Sequence, residues 1–146
     1  MDVKKIRHFN RFYTGVLDVF SNKVFKLDYS LLEMRALGEI GRESGITANK
    51  LSNILSIDKT YLSRILKKLE RDGYISRERD NNDGRIYHFM LTSSGEILND
   101  YVEKKSDEKV QSSLNKLSPH DIEKLEQSMK NIEKILLKTG SKDDLI

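Results

Sequence analysis

The chain has 146 residues, of which 37% are hydrophobic and 34% charged, with one proline, no cysteine and a net charge of +3. This length and composition predict a single, mostly α-helical domain spanning residues 1–146, and the absence of cysteine excludes disulfides and thiolate metal sites. No apolar run approaches the roughly 18 residues of a membrane span, and the basic N-terminus lacks a signal-peptide core, so we expect a cytoplasmic protein without a membrane partner.

Two helices are predicted in the first part of the chain. From Val3 to Val24, apolar residues recur at helical spacing on one broad face, which predicts an amphipathic helix. Ser30 followed by Glu33 forms a capping box, which predicts that a second helix begins after Ser30. The apolar positions of the second helix are Leu32, Leu37 and Ile40.

Two shorter helices follow, joined by a tight turn. Thr47 can cap the first of them, and Asp58 can cap the second, which ends at Gly73. The second helix has apolar residues on one face and hydroxyl and cationic side chains on the other. The inward set is Leu62, Ile65, Leu66 and Leu69, and the outward set is Thr60, Ser63, Arg64, Lys67 and Arg71.

A β-hairpin is predicted directly after these two helices. The runs Tyr74–Arg79 and Ile86–Leu91 are strand-like, and the segment Asp80–Gly84 between them has the Asn, Asp and Gly residues of a turn. Two tightly connected helices and a hairpin make a winged helix-turn-helix, which we assign to residues 28–92. Residues 59–91 carry eight basic and five acidic groups, a local charge of +3 that favours an anionic partner.

The remaining residues predict two long helices and a frayed tail at 139–146. Thr92 can cap the first of these helices, and Ser118 with Pro119 and Asp121 forms a strong start for the last one. The apolar stripe of the last helix is Ile122, Leu125, Met129, Ile132 and Leu136.

Apolar stripes at both ends of the chain predict a homodimer. The first and last helices carry more apolar surface than a winged helix-turn-helix domain of this size can cover, and exposed patches of that kind usually mark an interface. We therefore expect the helices within residues 3–25 and 93–138 to be dimerisation helices.

The outward face of the second short helix has the chemistry of a major-groove reader. Short hydroxyl side chains approach base edges or phosphates closely, and an arginine can bond guanine O6 and N7 together. The alternative interpretation is a solvated charged face. The short helix before it and the basic hairpin after it favour DNA binding.

These motifs together resemble the MarR family of bacterial winged-helix transcription regulators. The flanking helices agree with the family in order and length. The segments Phe9–Tyr13 and Tyr61–Leu66 are similar in particular to the regulator half of MarR–acetyltransferase fusions, and the chain ends where that second domain would begin. The matching segments are Thr47–Leu55, Lys59–Gly73, Asn82–Arg85 and Leu91–Gly95.

The resemblance implies a homodimer with intertwined terminal helices, a recognition helix in the major groove and a wing arginine in the minor groove. Arg85 matches that arginine and Asp83 matches the acidic partner that orients it, whereas Gly84 stands where many members have a basic residue. A narrow minor groove attracts arginine independently of any family, although an exposed arginine without a role is the alternative. The candidate DNA-binding residues are Thr47, Lys59, Thr60, Tyr61, Ser63, Arg64, Lys67, Lys68, Asn82, Asp83 and Arg85.

We therefore predict a sequence-specific transcriptional regulator that binds double-stranded DNA as a homodimer on a pseudo-palindromic operator, as a repressor relieved by a small ligand. The alternative is a winged-helix protein-interaction module without specific DNA binding. An enzyme is not expected, because no Gly-rich phosphate loop and no Ser/His/carboxylate arrangement is present. His8, His88 and His120 lack metal-ligand spacing, so no metal or cofactor is expected.

An aromatic cluster lies near the N-terminus. Six of the eleven aromatic residues fall within the 21 residues from Phe9 to Tyr29. The resemblance implies a small aromatic acid bound between the dimer helices and the winged domain, with Phe9, Tyr13 and Leu32 as pocket residues. The alternative interpretation is that these aromatic side chains belong to the buried dimer core.

Overall fold

The computed structural model describes residues 1–17 and 25–140, and within them the protein is mostly helical with one small antiparallel sheet. This architecture confirms the predicted winged helix-turn-helix. The elements in chain order are α1 (Val3–Leu17), α2 (Leu31–Arg42), β1 (Ile46–Thr47), α3 (Ala48–Leu55), α4 (Lys59–Arg71), β2 (Ile75–Arg79), β3 (Tyr87–Leu91), α5 (Ser93–Leu114), α6 (Pro119–Leu136) and a 3₁₀ turn (Leu137–Thr139).

Every helix start predicted from a capping residue is confirmed. The first N–H groups of a helix have no partner within the helix, and a side-chain oxygen at the preceding position satisfies one of them. In each case the oxygen accepts a hydrogen bond from the N–H three residues later, over 2.7–3.3 Å. The five caps are Ser30, Thr47, Asp58, Thr92 and Ser118.

One strand was not predicted. β1 pairs antiparallel with β3, placing Ile46 opposite Phe89 and Thr47 opposite His88, and the sheet order is β1-β3-β2. A strand of two residues has no periodicity, and its pairing partner is far along the chain, so the sequence shows Thr47 as a helix cap and nothing more. The predicted continuation of α1 to Val24 and the tail beyond residue 140 lie outside the described residues.

The core lies between α2, α3, α4, the sheet and the first half of α5. The inward set predicted for α4 is confirmed, because all four of its apolar residues are buried. Each fully buried leucine or isoleucine contributes about 1.5–3 kcal/mol relative to an exposed one. The largest fully buried side chains are Leu37, Ile40, Ile46, Leu51, Leu62 and Leu69.

The terminal helices take no part in this core. Neither the described residues of α1 nor those of α6 include a buried side chain, although both helices are strongly amphipathic. In the described part of the chain, no helix has the length and apolar character needed to cross a membrane.

Candidate nucleic-acid interface

Helix α4 is fixed by its inward face and presents the opposite face to solvent. Asp58 starts it, with its Oδ1 accepting from the Tyr61 N–H over 2.7 Å. Arg64 and Lys67 are exposed, and neither is paired with a carboxylate of residues 1–17 or 25–140. Two long cations are therefore held on a rigid helix with their charge available to a phosphate or a base edge.

The turn between α3 and α4 is held by hydrogen bonds of its own. Ser56 adopts a left-handed conformation with φ of 54°. The Ser52 hydroxyl donates to the carbonyl oxygen of Ile57 over 2.7 Å, and the Ile57 N–H donates to the Ser52 carbonyl oxygen over 3.2 Å. These contacts set the angle at which α4 leaves α3.

Five further candidates lie in the first half of α4 or at the start of α3. Lys59, Thr60 and Tyr61 form the exposed first turn of α4, and Ser63, one turn further along, is half-buried on the outward face. Thr47 is also half-buried, and its hydroxyl oxygen is used to cap α3.

Lys68 is placed differently from the other candidates. Its ammonium forms an ion pair with Glu33, with Nζ 2.7 Å from Oε2, and donates to the carbonyl oxygen of Asp28 over 2.7 Å. The same ammonium lies 4.4 Å from the centre of the Tyr29 ring. A cation with these three partners joins α4 to the start of α2, so we omit Lys68 from the proposed interface.

Tyr29 extends this joint to the end of α4. Its hydroxyl donates a hydrogen bond to the carboxylate of Asp72, the residue that follows the helix. Burial, and then this hydrogen bond, raises the pKa of the Tyr29 phenol, and the same bond lowers the pKa of Asp72. Helix α4 is thus attached to α2 and to the segment before it through Lys68 and Tyr29.

The wing tip holds Arg85 in a defined direction. Its Nε lies 3.1 Å from Asp83 Oδ1 and its Nη2 lies 3.2 Å from Asp83 Oδ2, a bidentate pair. The hydrogen bond from Arg85 lowers the pKa of the Asp83 carboxyl. The Arg85 side chain is nevertheless 92% exposed, so its guanidinium is oriented and open to solvent. The pairing of these two residues agrees with the family resemblance.

The tip itself is organised by Asp80 and His88. One oxygen of Asp80 accepts from the N–H groups of Asn82 and Asp83, each over 3.0 Å. Its other oxygen lies 2.7 Å from Nε2 of His88, whose Nδ1 lies 2.7 Å from the carbonyl oxygen of Gly45. Apart from the turn composition, no sequence pattern predicts this arrangement, because Gly45 and His88 come together only when β1 pairs with β3.

A second basic cluster was also missed. The Arg77 guanidinium lies 4.4 Å from the centre of the Tyr87 ring and 3.4 Å from a Glu70 carboxylate oxygen. Arg79 donates to the Tyr87 hydroxyl over 3.0 Å, and this bond lowers the pKa of Tyr87. Strand alternation could have placed both arginines on one face, but their shared aromatic partner depends on the hairpin register. The cluster extends the basic surface from α4 along the wing.

The predicted pocket residues are only partly brought together. The rings of Phe9 and Tyr13 stack with centroids 5.7 Å apart, and Leu32 packs against the core from α2. A cleft of about 210 Å³ lies between α2 and α5, and none of the three predicted pocket residues lines it. The residues lining the cleft are Ile40, Gly41, Ser44, Leu91, Glu96, Asn99 and Asp100.

Comparisons with known proteins agree with the winged helix-turn-helix fold described above. A profile of the MarR family matches residues 27–86. The chain is 28% identical over 135 residues to the uncharacterized HTH-type transcriptional regulator YybA of Bacillus subtilis, covering 88% of this chain and 90% of YybA. It is 35% identical over 71 residues to the HTH-type transcriptional regulator PetP of Rhodobacter capsulatus, covering 49% of this chain and 43% of PetP. The match thus spans less than half of PetP.

Among solved structures, Streptococcus pneumoniae FabT in complex with DNA superposes with a TM-score of 0.73 at 23% identity. The superposition covers 91% of this chain and 98% of FabT. At this level of identity the likeness supports the fold.

Proposed function

The chain belongs to the MarR family of DNA-binding, winged-helix transcriptional regulators, and on that premise we propose that it binds a pseudo-palindromic operator as a homodimer. The observation that carries the proposal is the exposed pair Arg64 and Lys67 on α4. These cations extend from a helix whose apolar face is buried, so the backbone positions that carry them are fixed before DNA binds. Pre-organised contacts lose less conformational entropy on binding.

In the proposed complex, α4 lies in the major groove and the wing reaches the minor groove. Ser63 and Arg64, in the middle of the helix, contact base edges. Lys67 and the first turn of α4 contact phosphates, together with Thr47 and the wing residue Asn82. The wing arginine Arg85, oriented by Asp83, enters a narrow minor groove, whose negative potential attracts arginine.

The homodimer is proposed from the terminal helices. The exposed apolar residues of α1 and α6 form stripes that water disfavours, and a two-fold partner with the same stripes covers both. Such a dimer places its two recognition helices about 34–36 Å apart, one turn of DNA, which is why the operator should be pseudo-palindromic. A cytoplasmic location and action as a repressor, without catalysis, complete the proposal.

The direct test is selection of bound fragments from genomic DNA, followed by affinity measurements on the recovered operator. Wild-type protein should bind it far more tightly than a scrambled sequence of equal length. The double variant Arg64→Ala/Arg85→Ala should lose most of that preference while keeping the wild-type circular dichroism spectrum. Equal binding by the two proteins would mean that the DNA-binding face is elsewhere. An absence of salt-dependent DNA binding would favour the alternative of a protein-interaction module.

Replacing Arg64 and replacing Lys67 with alanine should weaken DNA binding in different ways. Arg64→Ala should cost about 1–3 kcal/mol on the operator and flatten the preference at one or two base pairs, because a base contact is lost. Lys67→Ala should weaken binding to all sequences alike and lower the slope of log K against log salt by about 1, because a phosphate contact is lost. Anisotropy titrations on single-base operator variants at several salt concentrations separate the two results. Identical effects of both substitutions would contradict the assigned roles.

Relief of binding by a small aromatic acid is proposed from the stacked Phe9 and Tyr13 rings and from family membership. A ligand changes DNA affinity only if it prefers one arrangement of the dimer over another. Salicylate-like acids should therefore weaken operator binding of the wild type, and Phe9→Ala should remove that response. If no such acid changes the operator affinity or the melting temperature, these rings are part of the dimer core.

A further inference from the structure

His88 makes two hydrogen bonds that a neutral imidazole cannot make together. Its Nδ1 lies 2.7 Å from the carbonyl oxygen of Gly45, and its Nε2 lies 2.7 Å from a carboxylate oxygen of Asp80. A carbonyl oxygen and an ionised carboxylate can only accept, so both ring nitrogens must carry a proton. A neutral ring has one N–H group and leaves one of the two contacts without a proton. With Asp80 ionised, the two contacts therefore favour the imidazolium form.

The charges around the ring favour that form. His88 points to the face of β3 opposite the core-facing Phe89, and therefore away from the helices packed on that core. The acidic groups that act on the ring are Asp80 and Glu78. Glu78 lies on β2 directly opposite His88, and the residue of β1 opposite His88 is the uncharged Thr47. The hydrogen bond that the ring donates to Asp80, and then the one that it donates to the Gly45 carbonyl oxygen, raise the pKa of His88.

The same contacts stabilise Asp80 as a carboxylate. Its hydrogen bond with His88, followed by those from the N–H groups of Asn82 and Asp83, lowers the pKa of the Asp80 carboxyl. At pH values between the lowered pKa of Asp80 and the raised pKa of His88, an ionised Asp80 therefore faces a protonated ring. As the pH rises through the raised pKa of His88, the ring loses a proton and the double contact is broken.

A continuous chain of hydrogen bonds leads from this ring to the wing arginine. Asp80 Oδ1 lies 2.7 Å from His88 Nε2, and Asp80 Oδ2 accepts from the Asp83 N–H over 3.0 Å. Asp83 in turn holds the Arg85 guanidinium at 3.1 and 3.2 Å and accepts from the Arg85 N–H over 3.0 Å. Gly45, the residue before β1, is thereby joined to the tip of the wing through the His88 ring.

We infer that His88 is a positioning residue for Arg85, and that the proton on its ring links DNA affinity to pH. This inference rests on the proposed function, because the direction of Arg85 affects DNA affinity only if the wing contacts DNA. With the ring protonated, Asp80 is fixed and the tip presents Arg85 in one direction. With the ring neutral, the tip samples more arrangements, and binding must restrict them at a cost in affinity.

The test is operator affinity from about pH 5.5 to about pH 8.5 at constant ionic strength, because histidine titrates in this range. The probe is the DNA fragment recovered by genomic selection. Wild-type affinity should fall roughly threefold to tenfold as the pH rises, which corresponds to a pKa difference of about half a unit to one unit between free and bound protein. His88→Gln should bind with the weaker, high-pH affinity throughout and show little dependence on pH.

Two matched controls and one background variant define the cause. His8→Gln and His120→Gln change exposed histidines of α1 and α6 and should keep the wild-type pH profile. In an Arg85→Ala background, His88→Gln should have little further effect, because His88 acts through Arg85. A merely structural role of His88 would lower affinity equally at every pH and in both backgrounds.

The ring can also be observed without DNA. In NMR titrations of the free protein, the His88 ring should titrate above the ordinary histidine pKa of about 6.5. Asp80→Asn should lower that value. Titration at or below the ordinary pKa overturns the inference, and so does a wild-type pH profile retained by His88→Gln. A wild type that binds no DNA at any pH overturns the proposed function and this inference with it, whereas pH-independent binding overturns the inference alone.

Discussion

Ile132→Asp should convert the protein to a monomer and abolish operator binding at concentrations where the wild type binds. Ile132 lies in the middle of the apolar stripe of α6, where no side chain is buried within the protomer. In the proposed dimer the new carboxylate would be buried without a partner, and the two-fold axis places it there twice. We expect a loss of at least about 3 kcal/mol in dimer stability, or more than about 100-fold in Kd.

Sedimentation velocity at micromolar concentration, together with anisotropy on the selected operator, measures both effects. Asn131→Asp is the matched control, because it adds the same charge one residue away on an exposed position outside the stripe. The control should remain dimeric and bind the operator. If Ile132→Asp also remains dimeric, α6 does not form the interface. If it becomes monomeric and still binds the operator at wild-type affinity, both half-sites are not needed.

Gly95→Ala should lower the stability of the winged helix-turn-helix more than any of the alanine substitutions named above. A Cβ atom at this position would lie 1.9 Å from the carbonyl oxygen of Tyr74 and 2.9 Å from its carbonyl carbon. These are backbone atoms and cannot rotate away. The first turn of α5 would have to move from the hairpin, which breaks the 2.6 Å hydrogen bond from the Thr92 hydroxyl to the Gly73 carbonyl oxygen. We expect a loss of about 3 kcal/mol or more in the free energy of unfolding.

Thermal unfolding at fixed protein concentration should show this loss as a fall of roughly 10 °C in Tm. Ser94→Ala is the matched control, since it lies in the same helical turn, is exposed and should change Tm little. An unchanged Tm for Gly95→Ala would show that the contact between α5 and the hairpin is looser than described.

Features that depend on neighbouring residues could be predicted from the sequence alone. The five helix caps were correct because each involves an oxygen and an N–H group only three residues apart. The inward face of α4 was correct because helical periodicity assigns its four apolar residues to one side. The hairpin was correct to within one residue at each strand, since Asp, Asn and Gly residues favour a turn between two strand-like runs. The fold class, and the choice of α4 and the wing as the candidate DNA-binding face, followed from these local signals.

Features that depend on distant residues were decided by the tertiary structure. Lys68 is a basic residue of α4 and was therefore a candidate DNA contact, but its ammonium forms an ion pair with Glu33 and donates to the Asp28 carbonyl oxygen. The packing of α2 against α4 brings these partners near. The constraint on Gly95 comes from the Tyr74 carbonyl oxygen across the hairpin. His88 meets Gly45 only because β1, a strand of two residues, pairs with β3. Side-chain chemistry is local to each residue, but its partners are set by which elements pack together, and spacing along the chain does not encode that.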